Sequence, residues 1–264
     1  MSARFFADLA LVPGHTVGLP EHAARHVQVL RLQPGDGITL FNGQGDGQPG
    51  SEGEFAATVT RMGRSDVDVL IGAYSATARE ARRAIHLAVV MPTNERMDWL
   101  VEKATELGAA SIQPLMSERS VLRLKAERAE KKVAHWRGIA TAASEQCGRN
   151  RLPVLHEVLT LADWLKKCAT PGHDDDINHA NDATEPSAAS TRLLLSLRDG
   201  ARPLTDWSQA DVSTGALTFL SGPEGGLSPA EETAALACGF SPITLGPRVL
   251  RAETAPLVCL SLLG

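Results

Sequence analysis

The spacing of apolar positions changes period along the chain, and the change divides it in two. Ile38-Thr39-Leu40-Phe41 runs into Asn42-Gly43, and Glu54 to Val59 and Val67 to Ile71 alternate apolar and polar residues on either side of Gly63. Such runs mark short strands joined by hairpins. The first seventy-odd residues therefore predict an all-β unit, a small barrel or sandwich, preceded by a short helix over Glu21 to Leu30 and the turn Pro34-Gly35-Asp36. From Ile85 onward the pattern becomes alternating strand and helix. Ile85 to Met91 predicts a buried strand, and Met97, Leu100, Val101, Ala104 and Leu107 predict a helix closed by Gly108. Ile112 to Met116 predicts the next strand. Ala129, Val133, Trp136, Ala140, Ala143 and Cys147 recur at three- and four-residue steps, the mark of one long amphipathic helix ending at Gly148. Thr160 to Cys168 predicts a short helix, and Leu193 to Leu197, Ala216 to Leu220 and Ile243 to Leu245 three further strands, with helix again near Glu253 to Leu257. The fold class is α/β, with a small β unit over 1–75 and a larger unit over 76–264, divided at the polar, arginine-containing bridge Tyr74 to Arg83.

Loops at the ends of the last three strands carry the candidate chemistry. The run to Leu220 stops at Ser221-Gly222-Pro223-Glu224-Gly225-Gly226, and Ser228, Pro229 and Glu231 then supply an N-cap, a first-turn proline and a capping-box glutamate. The run to Leu245 stops at Gly246-Pro247, and the run to Leu197 leads into Arg198-Asp199-Gly200. Ligands of open α/β sheets bind outside the carboxyl ends of the strands, where these loops gather. Two phosphate-binding patterns do not fit: no Gly-Lys-Ser/Thr follows, and the glycine spacing is not that of a dinucleotide fold.

Composition narrows the picture. A chain of 264 residues with 43% hydrophobic content has enough apolar material for real cores. Cys147, Cys168, Cys238 and Cys259 lack metal-site spacing, the start lacks a signal-peptide core and no run reaches membrane-spanning length, so a cytoplasmic protein without membrane or metal is expected. The net charge of −5 argues against an indiscriminate nucleic-acid coating protein, yet charge is segregated. Glu118 to Arg151 carries nine cations against four carboxylates, and His173 to Glu185 carries five unopposed carboxylates. The first block is a solvated helix face or a nucleic-acid surface. Pro171 to Thr191 is too polar to bury a core and predicts a mobile loop. Glu145-Gln146-Cys147-Gly148-Arg149-Asn150-Arg151 is either a helix C-cap rich in basic residues or a functional cluster.

Several blocks together carry a resemblance: Arg4-Phe5-Phe6, His26 to Asp36, Glu102-Lys103-Ala104-Thr105-Glu106-Leu107-Gly108, Glu145 to Arg149, Gly222 to Gly226 and Leu245 to Ala255. In this order they resemble the bacterial 16S ribosomal RNA uracil-N3 methyltransferases, a branch of the SPOUT superfamily. The resemblance spans nearly the whole chain. Ser196-Leu197-Arg198 as a first binding loop, the acidic 171–191 stretch and Pro256 depart from the family pattern.

The resemblance implies a small N-terminal PUA-like β-barrel that grips RNA and a C-terminal, trefoil-knotted methyltransferase domain with a mostly parallel sheet. It implies S-adenosyl-L-methionine as cofactor, 16S ribosomal RNA of the small subunit as substrate, and a homodimer. Leu195, Ser196, Leu220, Gly222, Pro223, Glu224, Gly225 and Gly226 would line the cofactor, with Leu245, Gly246, Leu250, Arg251 and Thr254 from the last loop. Arg251 would fix a phosphate or stabilise a uracil N3 anion. Glu224 and Glu253 would orient loop amides or accept a proton. Arg4, Arg25, Arg31 and Arg149 would hold RNA. The alternatives are a non-catalytic RNA-binding protein, which explains the basic block, and a nucleotide-dependent α/β enzyme, which explains glycine loops at strand ends.

Overall fold

The computed structural model describes residues 3–44, 52–77, 79–169, 190–207 and 215–264. The chain forms two compact units, Met1–Glu80 with Ser144–Leu152, and Ala81–Ala143 with Pro153–Gly264. The short segment 144–152 thus belongs with the N-terminal unit, a placement that no single cut along the chain expresses.

In the first unit β1 (Ala3–Phe6), β2 (Thr16–Gly18), α1 (Glu21–Val29), β3 (Gly37–Phe41), β4 (Glu54–Met62) and β5 (Val67–Ser75) follow in order. The sheet order is β1-β3-β4-β5-β2, with β1 and β3 parallel and the other pairs antiparallel. Alternation works as the sequence requires: β4 buries Phe55, Ala57 and Val59, β5 buries Val67, Val69 and Ile71, and α1 turns Ala23, Ala24 and Val27 onto the same core. Strands β1 and β2 are too short to show a period and escaped the sequence reading.

Polar bonds tie the 144–152 segment into this unit. Arg4 pairs with Glu54 through one guanidinium nitrogen, and through the other donates to the carbonyls of Gly148 (3.2 Å) and Arg149 (3.1 Å) and to Asn150 Oδ1 (2.9 Å). Arg79 donates to Glu54 Oε2 (2.8 Å) and to the Gly148 carbonyl (3.0 Å). These arginines satisfy carbonyls of the turn that follows the helix ending at Cys147. Arg149 is buried, its side chain 7% exposed, and pairs with Glu80 at 2.6 Å. The hydrogen bond from Arg79, with Arg4 also contributing, holds the Glu54 carboxyl below its ordinary value of 4.5. A carboxylate with a depressed pKa stabilises the folded state above its ordinary pKa, and that contribution is lost as pH falls through the depressed value. Glu54→Gln is therefore expected to lower stability by about 1–3 kcal/mol at neutral pH, because Arg4 keeps a half-satisfied guanidinium. Denaturant melts should show the deficit shrinking in acid; a deficit equal at pH 7 and pH 3 would contradict this role.

In the second unit the strands are β6 (Ile85–Val90), β7 (Ser111–Met116), β8 (Val154–Leu155), β9 (Leu159–Thr160), β10 (Thr191–Leu195), β11 (Arg202–Pro203), β12 (Leu217–Ser221) and β13 (Ser241–Thr244). The helices are α2 (Asn94–Glu106), α3 (Ala126–Cys147, its last turn counted with the first unit), α4 (Leu161–Cys168), α5 (Pro229–Ala237) and α6 (Thr254–Leu263). Every pairing is parallel, in the order β11-β13-β10-β12-β6-β7-β8, with β9 also on β7. Successive side chains serve opposite layers. Leu87, Val89 and Phe219 pack with Leu100, Trp136 and Leu260 of α2, α3 and α6, whereas Ala88, Val90 and Leu220 pack with Trp164 and Ala235 of α4 and α5. Both faces are covered, which is why the strands are continuously apolar.

Three expectations change. Leu107 is exposed, and Thr105 takes the inward position with its hydroxyl donating to the Val101 carbonyl (2.8 Å). The strand expected over Leu193 to Leu197 ends at Leu195, leaving Leu197 in solvent. Pro256 sits in the first turn of α6, where no intrahelical N–H is required, so the helix runs on to Leu263. The predicted acidic loop lies, from 171 to 189, outside the described residues.

Candidate functional site

The loops after β10, β12 and β13 meet at the carboxyl edge of the parallel sheet and enclose a cavity of about 600 Å³, a size common for small-molecule sites. Each loop is held by its own short-range bonds. After β12 the chain turns at Gly222, where a Cβ would stand 3.0 Å from the Leu227 nitrogen and 3.3 Å from the Gly226 carbonyl carbon, so the loop folds back closely on this position and a side chain there would press on its backbone. Arg119 fixes the outer side by donating to the carbonyls of Gly225 (2.9 Å) and Leu227 (3.4 Å). The capping box is present as the sequence requires: Glu231 N donates to Ser228 Oγ at 3.3 Å and Ser228 N to Glu231 Oε2 at 2.9 Å.

After β13, Gly246 adopts φ +105°, and its N–H donates to Thr244 Oγ1 at 3.3 Å. A side chain there would be strained. After β10, Ser196 donates its backbone N–H to the Ile243 carbonyl (2.9 Å) and its hydroxyl to Glu232 Oε1 (2.8 Å), which joins the first loop to β13 and to α5.

The wall has two chemical halves. Leu195, Leu245 and Leu250 supply apolar surface, and Ser221 supplies a buried hydroxyl with no hydrogen-bond partner among the described residues. A buried polar group left unpaired is costly, and a ligand that bonds to it removes the cost. Carboxylates and guanidiniums make the other half. Arg96 donates to Glu224 Oε1 at 3.2 Å and lies 3.7 Å from Glu253 Oε1, so one side chain from the first turn of α2 touches carboxylates of two different loops. Arg251 reaches the same Glu253 oxygen only at 3.9 Å and keeps 72% of its side chain exposed, against 8% for Glu253.

Of the residues expected at the cofactor, Leu195, Ser196, Gly222, Pro223, Glu224, Gly225, Gly226, Leu245, Gly246, Leu250 and Arg251 come together on this wall. Leu220 and Thr254 do not, nor does Glu253, which was expected to orient loop amides or accept a proton. Leu220 is the strand neighbour of Ser221 and so points to the opposite layer, where it is fully buried. Thr254 opens α6, and Glu253 is recessed behind the wall, where it faces Arg96 and Arg251. Arg25 and Arg31 are exposed, the latter with φ +57°, whereas Arg4 and Arg149 are taken up by the internal bonds of the first unit. Arg4→Ala is thus expected to cost stability rather than leave the fold intact. Arg96, Arg119, Ser221 and Glu232 were not anticipated. Ser221 was legible as the residue before the glycines; Arg96 lies 128 positions from Glu224 and carries no local mark. Among the described residues no group of three or more His, Cys, Asp and Glu side chains is placed to hold a metal ion, and no helix is long and apolar enough to cross a membrane.

Comparison with known proteins gives a consistent result. The RNA methyltransferase domain family matches residues 79–264. The ribosomal RNA small subunit methyltransferase E of Bacillus subtilis is 30% identical over 98% of this chain and 94% of its own, and that of Synechocystis is 30% identical over 93% and 72%. Among solved structures, a methyltransferase E from Neisseria gonorrhoeae bound to S-adenosyl methionine superposes with a TM-score of 0.83 at 33% identity, covering 99% of this chain and 96% of that one. A putative methyltransferase from Legionella pneumophila, in complex with the same cofactor, gives 0.83 at 32% identity, with 100% and 97% covered.

Proposed function

The chain belongs to the RNA methyltransferase family, in the group of ribosomal RNA small subunit methyltransferase E, and on that premise we propose that it transfers a methyl group from S-adenosyl-L-methionine to N3 of a specific uridine in 16S ribosomal RNA. The observation that carries this reading is the cavity at the carboxyl edge of the sheet, built from three loops and lined by an apolar half, an unpartnered buried hydroxyl and an exposed arginine.

The residues present fit the cofactor. Leu195, Leu245 and Leu250 suit its adenine, Ser221 Oγ and the loop amides and carbonyls suit neutral polar edges, and Gly222 and Gly246 let backbone approach closely. When bound, S-adenosylmethionine supplies a methyl group on a sulfonium sulfur, an electrophile for an in-line displacement. The chain's own part is to align the acceptor and to favour loss of the weakly acidic imide proton. Arg251, whose guanidinium stands mostly in solvent beside the recessed Glu253, stabilises the developing N3 anion. Glu224 and Glu253, held by Arg96, set the position of the two loops rather than touch the base.

The finer architecture belongs to the same reading. A trefoil knot is supported by the place of β13, the last strand, between β10 and β11 instead of at the sheet edge. A PUA-like barrel is supported by the five-stranded mixed sheet with α1. A homodimer is supported by exposed Trp99 and Leu262 on the contacting helices α2 and α6. RNA contact in the first unit falls to Arg25 and Arg31, which are exposed.

Calorimetry separates the alternatives. The full chain is expected to bind S-adenosylmethionine saturably, and to give no comparable heat with a dinucleotide or a nucleoside triphosphate. Binding of RNA with no heat from S-adenosylmethionine would leave a non-catalytic RNA-binding protein; the reverse preference would leave a nucleotide-dependent enzyme.

A further inference from the structure

The mouth of the cavity carries more cationic side chains than its own carboxylates account for. Glu224 faces Arg96, Glu232 accepts from Ser196, and Arg119 is committed to loop carbonyls. Arg198 and Arg248 also line the opening and are exposed, and their guanidiniums have no ion pair or hydrogen bond among the described residues, the Arg198 backbone N–H alone donating to Ser196 Oγ (3.1 Å). Each stands next to an exposed apolar side chain: Leu197, 67% exposed, beside Arg198, and Val249, 77% exposed, beside Arg248. Two loops from distant parts of the chain thus present the same apolar and cationic pair on the rim of one opening. A large aliphatic side chain left in solvent beside an unpaired guanidinium suits a ligand that alternates anionic and flat apolar surface. A nucleic-acid strand does so, with phosphates for the guanidiniums and bases or riboses for the aliphatic groups.

We propose that Leu197 with Arg198 and Val249 with Arg248 form a rim subsite that holds the stretches of RNA flanking the target nucleotide, the arginines on phosphates and the aliphatic side chains against the neighbouring nucleosides. This rests on the methyltransferase reading above. The alternative occupant of exposed aliphatic surface is a second copy of the chain. The placement favours RNA: an occupant seated on both pairs lies across the opening, and the RNA strand is the ligand that has to reach it.

The test measures binding of the full chain to small ribosomal subunits from cells lacking it, over a series of salt concentrations. Removing two phosphate contacts in R198A/R248A should reduce the slope of log affinity against log salt by about 1.5 to 2. R198K/R248K, which keeps the charge, should retain most of the slope. L197S/V249S should weaken binding with the slope unchanged. An unaltered slope in R198A/R248A, with methyl transfer by the wild-type chain intact, overturns the proposal alone. So does an L197S/V249S chain that keeps its affinity for subunits and loses half its particle mass, because the face then belongs to a second copy. A wild-type chain that transfers no methyl group overturns the methyltransferase reading itself, and the proposal with it.

Discussion

Gly222→Val is expected to weaken S-adenosylmethionine binding by about 100-fold. A Cβ at this position would lie 3.0 Å from the Leu227 nitrogen, 3.2 Å from Leu227 Cγ and 3.3 Å from the Gly226 carbonyl carbon. Two of these are backbone atoms just ahead of the capped start of α5, so making room for the side chain shifts the loop backbone itself. Overpacking of this kind costs about 1–3 kcal/mol, which a large core can absorb. The wall, however, moves away from the ligand, and an affinity loss on the order of 100-fold corresponds to about 2.7 kcal/mol of lost contact. Calorimetry on the folded variant, confirmed by its melting transition, reads the effect. Gly138→Ala, in α3 and with nothing within 4 Å of an added Cβ, serves as the control away from the cavity. Normal binding by the Gly222 variant would show that the loop is not part of the cofactor wall.

Arg251→Ala is expected to separate binding from transfer. With 72% of its side chain exposed and only a 3.9 Å approach to Glu253, Arg251 contributes little to the fold. Truncation should leave stability within about 0.5 kcal/mol. The loss of a preorganised cation beside the developing anion should reduce methyl transfer by about 10²- to 10³-fold at saturating substrate. S-adenosylmethionine should still titrate, and Arg251→Lys should recover part of the rate by restoring charge without the fork geometry. Unchanged transfer in the alanine variant would remove Arg251 from the reaction.

What the sequence disclosed, and what it concealed, follows from the range of the forces involved. The capping box at Ser228 and Glu231 spans three positions and forms as written. The stripe Val133, Trp136, Ala140 and Ala143 likewise states its helix locally, because burial of one face repeats every turn. The short strands β1 and β2 owe their existence to pairing with β3 and β5, and β1 shows only as the edge of a sheet. The arginines were the least legible. Arg4, Arg149 and Arg251 look alike in a sequence, yet two are enclosed by partners and the third stands in solvent. Which of these befalls an arginine depends on where distant carboxylates arrive: Glu54 and Glu80 claim the first two. Arg96 took its role from glutamates on loops more than a hundred residues away, beyond any local pattern. Glycine spacing located the cavity, and tertiary pairing decided which charges face it.

The most direct test incubates the purified full chain with methyl-labelled S-adenosylmethionine and small ribosomal subunits from cells lacking it, then digests the RNA to nucleosides. The account predicts label in N3-methyluridine, arising from one position of 16S ribosomal RNA and strongly reduced with the Gly222→Val chain at the same cofactor concentration. Label at another atom, or no transfer by a chain that binds the methyl donor, would contradict it.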